Sequence, residues 1–147
     1  MSLKERISED MKAAMRAKEA ERLGTIRMLQ AAIKQREVDE RITLDDTQVL
    51  SVLEKMVKTR REAIEQFRAG GREDLVEKEA REVTQLQAYL PEQLSPADLD
   101  ALIAAAINST GATTIKDMGK VMAVVKQQAA GRADMGAVSA AIKAKLG

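Results

Sequence analysis

Met118-Gly119-Lys120-Val121-Met122, then Gly131-Arg132-Ala133-Asp134, then an apolar-periodic run to Lys143 and Leu146, decide how this chain folds. Met118, Met122 and Val125 recur at helical spacing, so the segment reads as an amphipathic helix over about 115–130. Gly131 stops it, and Asp134 caps a last helix over about 135–146. Gly119 interrupts the first of these helices. A helix-interior glycine costs about 1 kcal/mol relative to alanine, so the close approach of a neighbouring helix is the expected compensation.

Working back from that stretch, helix starts recur and strand signals are almost absent. Ser2 with Glu5, Thr43 with Asp46, Ser95 with Asp98 and Thr114 with Asp117 all have capping-box spacing. Ser95 is followed by Pro96, a proline at the first helical position, where its missing N–H is harmless. Helix 1 is expected over about 3–18 through Leu3, Ile7, Met11 and Met15. Helix 2, over about 20–40, turns Leu23, Ile26, Leu29 and Ile33 inward. Helix 3, over about 44–69, carries Val49, Leu53, Met56, Ile64 and Phe67 and stops at Gly70-Gly71. Helix 4, over about 72–90, carries Leu75, Val83, Leu86 and Leu90 and ends before Pro91. Pro91 to Ser95 reads as a hinge, with a helix over about 96–109 after it. The expectation is all-α, with an N-terminal helical bundle of about four helices (1–92) and a small three-helix tail domain (93–147).

Composition removes several functions. The chain has 147 residues, with neither Cys nor His, so disulfides, Cys/His zinc sites and Cys or His nucleophiles are excluded. Its aromatics are Phe67 and Tyr89, too few for base-stacking platforms. No apolar run approaches the roughly 20 residues that cross a bilayer, and no leader-like apolar segment opens the chain. On that ground no membrane partner and a cytoplasmic location are expected. Residues 101–147 hold Lys116, Lys120, Lys126, Arg132, Lys143 and Lys145 against Asp117 and Asp134, a local excess of +4.

Three charges fall on stripes that otherwise read as core. Arg60 sits among Met56, Ile64 and Phe67, Glu79 among Leu75, Val83 and Leu86, and Arg22 on the side of Leu29 and Ile33. A buried charge without a partner costs several kcal/mol, so a structural ion pair of Arg60 or Arg22 with Glu79 is expected rather than a ligand site. In the tail, Lys116, Lys120 and Gln127 form a polar stripe opposite the apolar one, with Arg132 in the next turn and Lys143 on the last helix. Lys and Arg spaced along such a surface suit nucleic-acid phosphates read by shape and backbone. Lys116, Lys120, Arg132 and Lys143 are therefore the candidate nucleic-acid-binding residues, against the alternative of a solvated face. No catalytic, metal or cofactor residues are assigned.

The tail motif, together with Tyr89-Leu90-Pro91-Glu92-Gln93-Leu94 and Gly71-Arg72-Glu73-Asp74-Leu75, resembles the GatB/YqeY family. The resemblance extends to Arg22-Leu23, Arg27, Ala31-Ala32-Ile33-Lys34 and Arg60-Arg61-Glu62, with Ala133-Asp134-Met135-Gly136 a departure from the family's Ala-Asp-Gly turn. It implies a helical domain joined to the tail of the tRNA-handling subunit of tRNA-dependent amidotransferases. The partners so implied are tRNA and a translation or amidotransferase component. The family is also associated with carbon–nitrogen ligase activity using glutamine as amide donor. This chain shows neither a nucleotide-phosphate loop nor a Ser-Lys constellation, so a non-catalytic tRNA/RNA-binding accessory role is expected. A protein–protein adaptor of the translation machinery is the alternative.

Overall fold

The computed structural model describes residues 1–147 and contains seven α-helices, one short 3-10 turn and no strand. The chain divides into two units, Met1–Pro91 and Glu92–Gly147, each with its own core.

The first unit holds α1 (Leu3–Arg16), α2 (Ala20–Glu40), α3 (Asp46–Ala69) and α4 (Glu73–Gln87). Ser2 and Glu5 form the reciprocal box at the start of α1. At α3 the box is Asp45 with Gln48, not Thr43 with Asp46. Asp46 instead accepts the Leu3 N–H at 2.9 Å, so the first turn of α3 satisfies a free donor at the start of α1. Glu37 performs a similar tie: one oxygen accepts from Lys4 Nζ at 2.7 Å and from the Leu44 N–H at 2.9 Å. Those donors hold its carboxyl below the usual range, Lys4 contributing most. Gly71 takes a left-handed φ of 72° and turns α3 back into α4, the most extensively packed helix pair.

Ile7, Leu29, Leu53 and Leu86 are the largest fully buried side chains of this core, which also buries Tyr89. The inward stripes differ in detail from the sequence expectation. Helix α1 ends two residues early, Met15 is 48% exposed, and Ala14 is buried in its place, because burial follows positions 7, 11 and 14 rather than a strict four-residue step. The fully buried residues of α3 stop at Val57, leaving Ile64 and Phe67 half-buried.

The second unit holds α5 (Pro96–Thr110), a 3-10 turn (Ile115–Asp117), α6 (Met118–Ala129) and α7 (Met135–Leu146). Ser95 accepts the Asp98 N–H, Gly111 closes α5 at φ 67°, and Asp134 caps α7 by accepting from Gly136 and Ala137. Ile103, Ala106, Val121, Val125, Ala129, Val138 and Ile142 form the core. Gly119 overturns its expectation: it is exposed, and a Cβ placed on it meets nothing within 4 Å. No neighbouring helix requires a glycine there.

Most of the segment read as a hinge is bound into this unit. The Leu94 N–H donates to the Arg132 carbonyl at 2.8 Å, and Gln93 Nε2 donates to the Gly131 carbonyl at 2.7 Å. Arg132 Nε in turn donates to the Glu92 carbonyl at 2.9 Å. Residues 92–94 are thus a strap on the α6–α7 turn, not free linker.

Candidate functional site

The tail's basic residues separate into committed and uncommitted ones. Arg132 belongs to the strap through both its carbonyl and its Nε, which gives it a structural task. Lys145 reaches Asp100 of α5 at 3.0 Å. Lys116, Lys120, Lys126 and Lys143 are exposed, and none has a carboxylate at salt-bridge distance. Asp117, the acid nearest Lys120, spends its carboxylate on the Thr113 and Thr114 N–H groups, which hold its pKa low.

Lys116, in the 3-10 turn, and Lys120, in the first turn of α6, are four residues apart. Lys143 stands on α7, about 160° around that helix from Lys145 at 100° per residue. The tail thus sets two of its four candidate residues in neighbouring turns, places the third on another helix and gives the fourth to the strap. The cationic excess is local as well. The unit begins at Glu92, and Glu92, Asp98 and Asp100 lower its net charge from the +4 of residues 101–147 to +1. Cations therefore dominate the α6–α7 side rather than the unit as a whole.

In the first unit, Arg60 extends from α3 toward α4. Its Nε meets Glu82 at 3.0 Å and Glu79 at 3.9 Å, with the Arg60 and Glu82 side chains about one-tenth exposed. The shorter bond is to Glu82, which the sequence expectation does not include. A signal for it exists: Glu82 lies seven residues after Leu75 and four before Leu86, on the same face as Glu79. Burial and the adjacent Glu82 raise the Glu79 pKa despite the attraction of Arg60. Arg22 is not part of this cluster. It is partly exposed and bonds Glu19 at 3.2 Å, while a separate 2.7 Å bridge joins Arg81 to Glu21.

The arrangement defines an all-helical protein whose paired charged groups cap helices and brace them against one another. No three acidic side chains converge to hold a metal ion, and no helix is long and apolar enough to cross a membrane.

Comparison with known proteins carries the class to a family. The family described as Yqey-like protein matches residues 4–146, and the chain belongs to it. A relative from Pyrenophora tritici-repentis, Altered inheritance of mitochondria protein 41, mitochondrial, is 34% identical over 133 residues, covering 84% of this chain and 71% of the relative. The proteins of the same name from Eremothecium gossypii and Kluyveromyces lactis are 42% and 39% identical. Those matches cover 57% and 56% of this chain and 46% and 45% of the relatives, so the chain spans about half the length of these two. The names of all three place those proteins in mitochondria, which overturns the cytoplasmic expectation. That expectation rests on the lack of an apolar span, and a protein reaches an organelle interior without one.

Proposed function

We propose that this protein is a non-catalytic RNA-binding accessory protein whose tail holds phosphates of a folded RNA, with tRNA as the first candidate. The observation that carries the reading is the state of Lys116, Lys120 and Lys143: exposed, without carboxylate partners, on helices fixed by a common core. Such ammonium groups exchange condensed counterions for contacts at the phosphate backbone and need no aromatic platform. The family resemblance to a tRNA-positioning tail supports the same ligand.

The test is a tRNA titration at two salt concentrations, with the wild type and with the charge reversals Lys116→Glu, Lys120→Glu and Lys143→Glu combined. Binding weakens in the variant, and each phosphate contact removed takes about 0.9 or less from the log–log salt slope. An unchanged slope in a folded variant gives the function to a protein–protein adaptor instead. Supplied with glutamine, ATP and Mg²⁺, the purified protein is expected neither to hydrolyse glutamine nor to amidate mischarged tRNA. Turnover abolished by changing one of its own residues overturns the non-catalytic part of the proposal.

A further inference from the structure

The N-terminal unit contains a polar cleft that the RNA reading does not use. About 490 Å³ in volume, it opens between α1, α2 and the end of α4, with Arg6, Asp10, Arg22, Thr84, Gln85 and Tyr89 in its lining. Its size lies within the range of small-molecule sites. The buried Tyr89 donates its hydroxyl to Asp10 Oδ2 at 2.6 Å. The Arg6 guanidinium lies 4.8 Å over the Tyr89 ring and donates to the Ala88 carbonyl at 3.1 Å. These contacts hold Arg6 and Asp10 in place while leaving most of their hydrogen-bonding capacity unused. A guanidinium has five N–H groups, and Asp10 keeps its second oxygen.

The cleft is unfinished in charge and in hydrogen bonding. Arg6 and Arg22 face a single lining carboxylate, Asp10, and Arg22 has only Glu19 as an acidic partner, at 3.2 Å. Gln85 Oε1, buried in the wall, accepts from no protein group. A simple anion would answer the arginines and leave Asp10 unanswered. A phosphate dianion would be opposed by Asp10 at close range.

We infer that this cleft binds a small carboxylate bearing a hydrogen-bond donor on its α-carbon. The carboxylate lies on Arg22 and Arg6, the donor meets the free oxygen of Asp10, and the carbon body rests on Ile26 and Ala88, the apolar part of the lining. Planar guanidinium forks suit carboxylate oxygens, and charge-assisted bonds at both ends set the ligand's orientation. α-Hydroxy acids and α-amino acids share this chemistry.

Amide-resolved NMR titration of the full chain with lactate, alanine and propionate separates these sources. Lactate or alanine saturates changes at the residues around the cleft at a midpoint about tenfold lower than propionate, which lacks the donor. The lower midpoint of the two assigns the hydroxy-acid or the amino-acid class. Arg22→Gln, a change at a partly exposed side chain, raises that midpoint about tenfold. Asp10→Asn, which keeps an acceptor for Tyr89, removes most of the advantage over propionate. No saturable change with lactate or alanine overturns the inference. Equal midpoints for all three, or an unchanged midpoint in Arg22→Gln, overturn it too. The tail lysines take no part, so this outcome is independent of the tRNA titration.

Discussion

The two units differ in where their interhelix ion pairs lie, buried at the Arg60 cluster of the first and exposed at Lys145 and Asp100 of the second. In Met1–Pro91, cations bridge helices: Lys4 to Glu37, Arg81 to Glu21, and Arg60 to Glu82 and Glu79. In Glu92–Gly147, one bridge joins two helices, Lys145 to Asp100, and four lysines have no carboxylate partner. A cation bound into a helix interface must be drawn away before it can serve a ligand. One left in water costs little to redirect, because an exposed ammonium exchanges hydration and counterions for a phosphate at small net expense. The cations that bridge helices in the first unit serve its architecture, whereas its exposed, unbridged ones, such as Lys18, Lys34 and Arg41, resemble the four lysines of the second in having charge to offer.

The largest expected effect lies where the first unit buries its bridge. Arg60→Met leaves Glu82 and Glu79 facing each other at the α3–α4 interface without a cation, at a cost of about 3–5 kcal/mol. Urea unfolding of the full chain measures it, and a loss below about 1 kcal/mol would place the bridge among surface pairs and erase the contrast. Glu79→Gln probes the same cluster with the opposite sign. The folded protein raises the Glu79 pKa, so it holds a proton there more tightly than the unfolded chain does. The associated stability is fully present below the ordinary glutamate pKa and is lost as pH rises through the raised one. The Gln variant should lack that decline. It should be more stable than wild type at pH 7 and equal to it near pH 4.

Arg132→Ala comes next, because Arg132 is the tail cation that contradicts the contrast. Without its Nε bond to the Glu92 carbonyl, the strap at residues 92–94 loosens, costing about 1 kcal/mol. Amide exchange at Leu94, whose N–H is held by the Arg132 carbonyl, should speed up. If stability and exchange are unchanged while tRNA binding falls, Arg132 rejoins the lysines as a ligand contact.

Gly119→Ala should stabilise the tail by about 0.5–1 kcal/mol, since the added methyl meets nothing and the helix gains propensity. Gly131→Ala should do the reverse, because its φ of 76° strains any side chain. A thermal melt reads both, and destabilisation by Gly119→Ala would revive the expectation of a close neighbour.

How much of the molecule is legible in its sequence depends on the range of the interactions. Helices announce themselves through local periodicity and caps, so Asp134, Gly111 and the box at Ser2 are readable within four residues of chain. The box at α3 is ambiguous locally, because Thr43–Asp46 and Asp45–Gln48 both have cap spacing. What decides between them is Leu3, 43 residues away, which takes Asp46. Tyr89 and Asp10 are 79 residues apart and carry no local signature. Arg132 reads as a phosphate-contact candidate in a turn, and its bond to the Glu92 carbonyl shows only once the chain folds back. Family membership is legible because motif order survives where contacts cannot be seen. The Lys4–Glu37 and Arg81–Glu21 bridges and the cleft are not, since they exist only between helices, while the Arg60 bridge is legible in part because Arg60 and Glu79 both break apolar stripes.

The smallest effects are the sharpest test of the contrast, because they compare two lysines on one helix. Lys145 and Lys143 differ by two residues, have the same chemistry and lie on opposite flanks of α7. Lys145→Gln gives up the 3.0 Å contact with Asp100, an exposed pair worth about 0.2–1 kcal/mol at low salt and less at high salt. Lys143→Gln should leave stability within about 0.5 kcal/mol of wild type at any salt, as expected of an exposed side chain without a partner. In tRNA binding the order reverses: Lys143→Gln weakens the complex, and Lys145→Gln affects it less because its charge is already shared with Asp100. If the two substitutions cost the same stability, Lys143 has a partner within the fold and cannot be counted as charge on offer. If they weaken tRNA binding equally, the phosphate-facing surface runs around both flanks of α7, and commitment to a bridge does not decide which lysines serve the ligand.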